Sequence, residues 1–217
     1  MEKRQKNTQP IDGGGTGTDD KIPTEGGLIR SQSDQVLIGV ILAVTFLVFL
    51  NSLSGQFLYD DWYQIERNPS IRSWSFLSSV FSQHVWEFAN SDTNVVGGLY
   101  YRPIFNLTLL INYQLFGLGV VGWHAVSLAF HLIATAMVFK LARLWTLSRE
   151  TSALAAIIFG LHPIHVEAVA WASALPDLML GVFVLASLVL YEKYRRGTAK
   201  REVFFWTSIF FALWLQE

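Results

Sequence analysis

Long apolar runs alternate with polar segments along most of the chain. The first run, residues 36–50, has no charged side chain, and with the residues up to 57 it could cross about 30 Å of hydrocarbon as a helix. Similar runs predict three more spans and the start of a fifth. The predicted spans are 36–57, 120–145, 151–174, 177–194 and a truncated fifth at 203–217. The pattern predicts an all-α, polytopic membrane protein of about five spans.

The segment between the first two spans, residues 58–119, is not a plain linker. Trp74, Leu77, Phe81 and Val85 recur at helical spacing among serines, which predicts an amphipathic helix in the membrane interface. The apolar stretch 102–117 is short for a span and ends at a glycine, so we expect a second interface helix there.

Basic residues set the predicted orientation. They cluster between spans two and three and between spans four and five, whereas the turn between spans three and four has none. The positive-inside rule then places these two loops and the N-terminus in the cytoplasm, and the 58–119 loop on the other side. Residues 1–35 are polar and glycine-rich, so we expect a disordered cytoplasmic tail. The membrane would be a bacterial inner membrane or the endoplasmic reticulum.

Composition narrows the function classes. Only 15% of the residues are charged, against roughly 25% in soluble domains. The net charge of −1 gives no support for nucleic-acid binding. The chain has no cysteine, which excludes disulfides, thiolate chemistry and cysteine-bound zinc. The last apolar run has only about thirteen residues where a span needs roughly twenty, so we expect the sequence to be a fragment.

Asp60 and Asp61 are the first candidate catalytic residues. They follow the first span directly and are flanked by aromatic residues that include Trp62. Adjacent carboxylates at a membrane surface could share acid–base work, one taking a proton while its neighbour orients it or binds a cation. A helix cap or loop anchor would explain the same pair without chemistry. Trp62 could stack on a sugar or an isoprenoid.

Two further stretches are candidates for substrate binding. Arg102 starts the second interface helix and could hold a lipid-linked phosphate bidentately, through two of its guanidinium nitrogens. The adjacent Tyr101 is a further candidate substrate contact. His162, His165 and Glu167 lie around Pro163, at or near the bilayer, where titratable side chains are costly and often functional. They could contact substrate or phosphate or serve the structure. A divalent metal is a weaker alternative, because the spacing is not that of a helix-borne zinc motif.

Four stretches in order, "FLYDDWYQIERNPSIR", "YYRPIFNLTLLINYQLFGL", "GWHAVSLAFHLIATAMVF" and "LHPIHVEAVAWASALPDLM", carry a family resemblance. The chain resembles the transmembrane and tetratricopeptide-repeat-containing O-mannosyltransferases and their bacterial relatives, over residues 50–217. The resemblance implies the GT-C class of membrane glycosyltransferases, whose acidic motif in the first extracytoplasmic loop corresponds to Asp60 and Asp61. It also implies a polyprenyl-phosphate sugar as donor and a protein or glycan hydroxyl as acceptor.

Two other function classes compete with the transferase. One extracytoplasmic pocket around Asp60, Arg102 and His162 would support the transferase, whereas wide separation of the three would favour a non-catalytic membrane anchor or interaction module of a repeat-containing protein. A transporter or proton relay would use His124 and His131, which are seven residues apart on one helix face, together with His162 and Glu167. The clearest acids lie in a loop rather than in a span, which disfavours the relay.

Overall fold

The computed structural model describes residues 32–89, 100–145 and 147–198, and every regular element within these ranges is helical. The α-helices are α1 (Gln32–Phe49), α2 (Pro103–Phe116), α3 (Val120–Leu144), α4 (Arg149–Leu161), α5 (Val166–Ala170) and α6 (Leu175–Arg195). Short 3-10 or π-helical turns cover Leu50–Ser54, Trp62–Glu66, Ser70–Arg72, Trp74–Ser78, Glu87–Ala89, Pro163–His165 and Ala172–Ala174. The expected tail, up to residue 31, and the truncated span at 203–217 lie outside the described residues.

The helices are those of an integral membrane protein. Among the described residues, three helical segments are long and apolar enough to cross a bilayer: Gln32–Ser54, Val120–Leu144 and Ala172–Arg195. The bent pair formed by Arg149–Leu161 and Pro163–Ala170 is a fourth if it counts as one span. Helix α2 has 14 residues and is about 21 Å long at 1.5 Å per residue, too short to span a bilayer.

The predicted third span is broken rather than continuous. Helix α4 stops at Leu161, and its axis differs by 43° from that of the segment after Pro163. The residue before a proline avoids the helical conformation, and His162 is indeed extended (φ −67°, ψ 129°). Its Nδ1 accepts a hydrogen bond from the Ile164 N–H, which caps the following turn. Pro163 thus divides the predicted span into two helical segments, Arg149–Leu161 and Pro163–Ala170.

Helix α3 is the centre of the bundle and packs against α1, α4 and α6. Its inward face is polar: His124, Ser127, His131 and Thr135 are all fully buried. Gly160 of α4 permits the closest approach, because a Cβ there would lie 2.7 Å from the Thr45 hydroxyl and 2.9 Å from the Thr135 methyl. The His131 Nε2 lies 2.9 Å from the Gly160 carbonyl oxygen. Interhelical polar contacts of this kind stabilise membrane bundles.

Charged residues gather at the other end of the bundle from the Asp60–Asp61 loop. Asp34, at the start of α1, is buried and lies 3.4 Å from Arg143 and 3.5 Å from Arg149. Glu192, near the end of α6, pairs with Arg195 and Arg196. The Arg196 guanidinium also donates to the Leu144 carbonyl at the end of α3. Among the described residues, basic side chains from both predicted cytoplasmic loops therefore lie at the same end of the helix bundle.

The segment 74–85 is not the continuous amphipathic helix that its spacing predicts. It is a 3-10 helix over Trp74–Ser78 followed by turns. The serines explain the difference, since their hydroxyls bond to local backbone and compete with the helical ladder. Ser78 donates to the Ser75 carbonyl and Ser82 to the Ser79 carbonyl.

The predicted apolar face of this segment is divided by the fold. The side chains of Trp74, Leu77 and Phe81 are 57%, 47% and 59% exposed, whereas Val85 is buried. The first three remain available to an apolar surface, and Val85 belongs to the core.

The main core lies beneath this loop rather than midway along the bundle. It joins the loop to α2, α3, α5 and the start of α6. Its largest fully buried side chains are Trp123, Phe105, Ile65, Ile71, Leu109, Leu110 and Leu128. The Trp123 indole N–H donates to the Gly117 carbonyl at the end of α2. The described parts of the loop, residues 58–89 and 100–119, are consequently a packed part of the fold and can hold side chains in fixed positions.

Candidate active site

Asp61 is a buried carboxylate that ties the loop to the turn before α6. Its Oδ1 accepts from the Ser173 N–H (2.7 Å) and the Ser173 hydroxyl (2.5 Å), and its Oδ2 accepts from the Leu58 N–H (3.0 Å). The side chain has no solvent-exposed surface. These three donors satisfy the carboxylate and fix the loop against a residue that is 112 positions away.

Asp60 is partly exposed and lines a cavity instead. Its backbone carbonyl accepts from the N–H groups of Tyr63 and Gln64, which starts the π-helical turn Trp62–Glu66. Burial, and to a lesser extent the neighbouring Asp61 charge, raises the pKa of Asp60 above the usual aspartate value. Both causes favour the neutral acid, so the carboxylate is a stronger base than an ordinary aspartate.

The cavity beside Asp60 has a volume of about 190 Å³ and is lined by four segments of the chain, within residues 60–64, 85–86, 100–105 and 171–177. Its charged residues are Asp60 from the loop, Arg102 from the start of α2 and Asp177 from the first turn of α6. The other lining residues are Gln64, Val85, Trp86, Tyr100, Phe105, Trp171, Ser173, Ala174 and Pro176. A base and a cation thus share one polar, half-enclosed space with a second carboxylate.

Arg102 is placed by the helix that follows it. Pro103 occupies the first turn of α2 and Arg102 is the N-cap, in a non-helical conformation (φ −132°, ψ 70°). The guanidinium carbon lies 5.2 Å from the centre of the Tyr100 ring, within the range of a cation–π contact. Tyr100 and Arg102 both line the cavity, so the guanidinium lies over a ring of the cavity wall.

Comparison with known proteins identifies relatives of the chain. No family model matches the chain, and no solved structure matches it. Protein O-mannosyl-transferase F38B6.6 of Caenorhabditis elegans is 31% identical over 184 residues, covering 83% of this chain and 26% of that protein. Protein O-mannosyl-transferase Tmtc1 of Drosophila melanogaster is 32% identical over 173 residues, covering 80% of this chain and 19% of that protein.

A mammalian relative shows the same similarity. Protein O-mannosyl-transferase TMTC3 of Mus musculus is 30% identical over 178 residues, covering 82% of this chain and 19% of that protein. The chain is a homologue of the TMTC protein O-mannosyl-transferases. It spans about a fifth to a quarter of the length of these relatives. The resemblance to this family noted in the sequence is confirmed.

In this TMTC homologue, the remaining predicted site residues do not line the Asp60 cavity. His162 and His165 line a larger, mostly apolar groove of about 490 Å³ between α3 and α4. Glu167 lies in a third groove of about 370 Å³ with Leu58, Tyr59 and Trp171. Trp171 also lines the Asp60 cavity, so these two spaces are neighbours.

The two predicted aromatic contacts serve the loop itself. The Trp62 indole N–H donates to the Phe57 carbonyl, and the Tyr101 hydroxyl donates to the Phe81 carbonyl. Neither side chain lines the cavity. Trp62 and Tyr101 were predicted to contact substrate, and the hydrogen bonds that they make join parts of the loop to each other.

The histidines form a chain of ring contacts. His131 and His165 have ring centres 5.1 Å apart, and His162 and His165 are 6.4 Å apart. Within the described residues, no group of three histidines or acids is arranged to hold a metal ion. Phe159 stacks on His131 and packs at a tilted angle against His165, which gives this cluster an apolar, packed character.

Three residues of the cavity whose side chains carry polar groups, Asp177, Ser173 and Gln64, were not among the predicted site residues. Asp177 carried a signal, but its place in the first turn of α6 was sufficient to explain it as a complement to the helix dipole. Ser173 and Gln64 carried no signal. Ser173 meets Asp61 only through tertiary folding, and Gln64 reads as an ordinary polar residue of a loop.

Proposed function

We propose that this chain carries the catalytic site of a membrane protein O-mannosyl-transferase with a GT-C fold. The reaction would move a sugar from a polyprenyl-phosphate donor to a hydroxyl of a protein or glycan acceptor. The observation that carries the proposal is the single cavity in which Asp60 and Arg102 meet beside a buried, satisfied Asp61. The similarity to named O-mannosyl-transferases supplies the reaction class.

The proposed step needs only a base and a cation. The Asp60 carboxylate takes the proton from the acceptor hydroxyl while the oxygen of that hydroxyl forms a bond to the anomeric carbon. The bond from that carbon to the phosphate oxygen breaks, and its electron pair leaves with the polyprenyl phosphate, whose charge Arg102 stabilises. Direct displacement by one base inverts the anomeric centre, through an oxocarbenium-like transition state.

The donor role of Arg102 predicts a graded loss of binding. In the protein expressed at its natural length, we expect Arg102→Ala to weaken donor affinity by about 10- to 100-fold, since a hydrogen-bonded charge contact is lost. Arg102→Lys should weaken it less, because the charge remains while the two-nitrogen geometry does not. The measurement is equilibrium binding of a polyprenyl-phosphate sugar in detergent.

Arg67 provides the matched control. It also lies over an aromatic ring, 5.5 Å from the Tyr63 ring centre, but it does not line the cavity. Arg67→Ala should leave donor affinity unchanged. Parent-like binding by both Arg102 variants would remove the phosphate role and favour the anchor function.

The site should face the extracytoplasmic side, with the N-terminus in the cytoplasm. The basic residues at the opposite end of the bundle motivate this orientation. The chain has no cysteine, so Ser82→Cys and Thr198→Cys can be labelled singly in sealed microsomes, whose outer surface is the cytoplasmic one. An impermeant thiol reagent should label the Thr198 variant directly and the Ser82 variant only after the membrane is permeabilised. Direct labelling of the Ser82 variant alone would reverse the orientation.

A further inference from the structure

Gln64 is a buried side chain with an unused hydrogen-bonding group beside the candidate base. It is 6% exposed, and it lines the same cavity as Asp60. Its Oε1 accepts no hydrogen bond from the described residues. A buried acceptor that is left unpaired destabilises a fold. His84 Nδ1 and Asn112 Nδ2, in the same loop as Gln64, are unpaired as well. Neither of these residues lines the Asp60 cavity, whereas the buried Asp61 is satisfied.

The backbone explains why the amide lies next to Asp60. The Gln64 N–H donates to the Asp60 carbonyl at 2.8 Å, and the two residues are four positions apart, so both side chains leave the turn on one side. The turn is π-helical, closed by the Arg67 N–H on the Trp62 carbonyl. Single π-turns occur frequently at functional sites, because they redirect a side chain that a regular helix would place elsewhere.

We propose that the Gln64 carboxamide binds a hydroxyl group in the cavity, on the transferred sugar or on the acceptor. A carboxamide carries both a donor and an acceptor and can turn over within its site, which matches a hydroxyl. Its neutrality suits a hydroxyl better than a phosphate, whereas Arg102 is a cation that lines the same cavity and suits the phosphate. The inference rests on the proposed transferase function and adds a specificity residue to it.

A pair of glutamines separates binding from structure. Gln114 on α2 donates from Nε2 to the Ile71 carbonyl at 3.1 Å and lies outside the cavity. Gln114→Met should lower the melting temperature in detergent and leave the kinetics unchanged. Gln64→Met keeps the side-chain length and removes an unpaired polar group, so it should leave the melting temperature unchanged or raise it. Its effect should instead be kinetic, a rise in one KM of about 3- to 10-fold.

The two sources of the hydroxyl are distinguished by which KM changes. A higher KM for the acceptor peptide assigns the acceptor hydroxyl. A higher KM for the donor assigns the sugar. The parent should then use a donor deoxygenated at the contacted position less well than the unmodified donor, whereas Gln64→Met should use the two donors equally. Unchanged values for both substrates with an active parent would overturn the inference and leave the transferase function standing.

A binding measurement does not depend on turnover. Methyl α-mannoside, titrated at millimolar concentration, should raise the melting temperature of the parent and Gln114→Met but not that of Gln64→Met if the sugar is the ligand. If the acceptor is the ligand, a serine- or threonine-containing acceptor peptide should give that pattern. An inactive parent with a Gln64-dependent shift would overturn the transferase function alone. An inactive parent with no such shift from either probe would overturn both.

Discussion

Asp60→Asn is expected to reduce sugar transfer by about 10²- to 10⁴-fold, the usual cost of losing a general base. The substitution keeps the size and hydrogen bonding of the side chain but removes its proton affinity. Because Asp60 lines a cavity and no hydrogen bond ties its carboxylate to the described residues, the fold should persist. The measurement is transfer from a polyprenyl-phosphate mannose to an acceptor peptide by the protein at its natural length.

Glu66→Gln is the control for this variant, since Glu66 is an exposed acid of the same turn and does not line the cavity. It should transfer at the parent rate. The pH profile adds a second readout: because the pKa of Asp60 is raised, the carboxylate is lost at a higher pH than in an ordinary aspartate. The acidic limb of kcat/KM should therefore lie at a higher pH than an ordinary aspartate would give. Near-parent transfer by Asp60→Asn would place the base elsewhere.

Asp61→Ala should produce the opposite phenotype, a loss of stability before any loss of chemistry. It removes a buried carboxylate that accepts three hydrogen bonds and leaves the Leu58 N–H and the Ser173 donors without it. A buried donor left without its acceptor costs about 1–3 kcal/mol, so the three donors predict a loss of at least about 3 kcal/mol in unfolding free energy. Denaturation in mixed micelles with SDS would measure it.

Ser173→Ala tests whether the effect comes from this contact. It removes one of the three donors, the 2.5 Å hydroxyl, and should destabilise the protein by less than Asp61→Ala. The double variant should lose less than the sum of the two single losses, since residues that share an interaction are not additive. Additive losses would show that Asp61 stabilises the loop by another route.

Much of the fold could be predicted because membrane insertion depends on local composition. Each span must carry its own apolar surface and satisfy its own backbone hydrogen bonds within the helix. Helices α3 (Val120–Leu144) and α6 (Leu175–Arg195) accordingly lie where hydropathy places spans two and four. The break at Pro163 was also visible as a proline, whose effect on the preceding residue is local.

Loop structure was less predictable, because two local preferences compete there. The spacing of Trp74, Leu77 and Phe81 favours an amphipathic helix, whereas the serines between them favour turns. The core beneath the loop decides between them, because it buries Phe76 and Val80 rather than the predicted apolar face. Spacing alone could not predict that choice.

The sequence by itself determined that the chain is helical and membrane-embedded, that basic residues cluster in two of the loops between spans, and that an acidic pair follows the first span. Only the tertiary structure decided the roles within that pair. Adjacent residues look equivalent in a sequence, but the donors of Ser173 arrive from 112 positions away and reach Asp61 alone. Arg102 and Gln64 join Asp60 for the same reason: packing of the loop against α2 and α6 brings distant polar groups around one cavity.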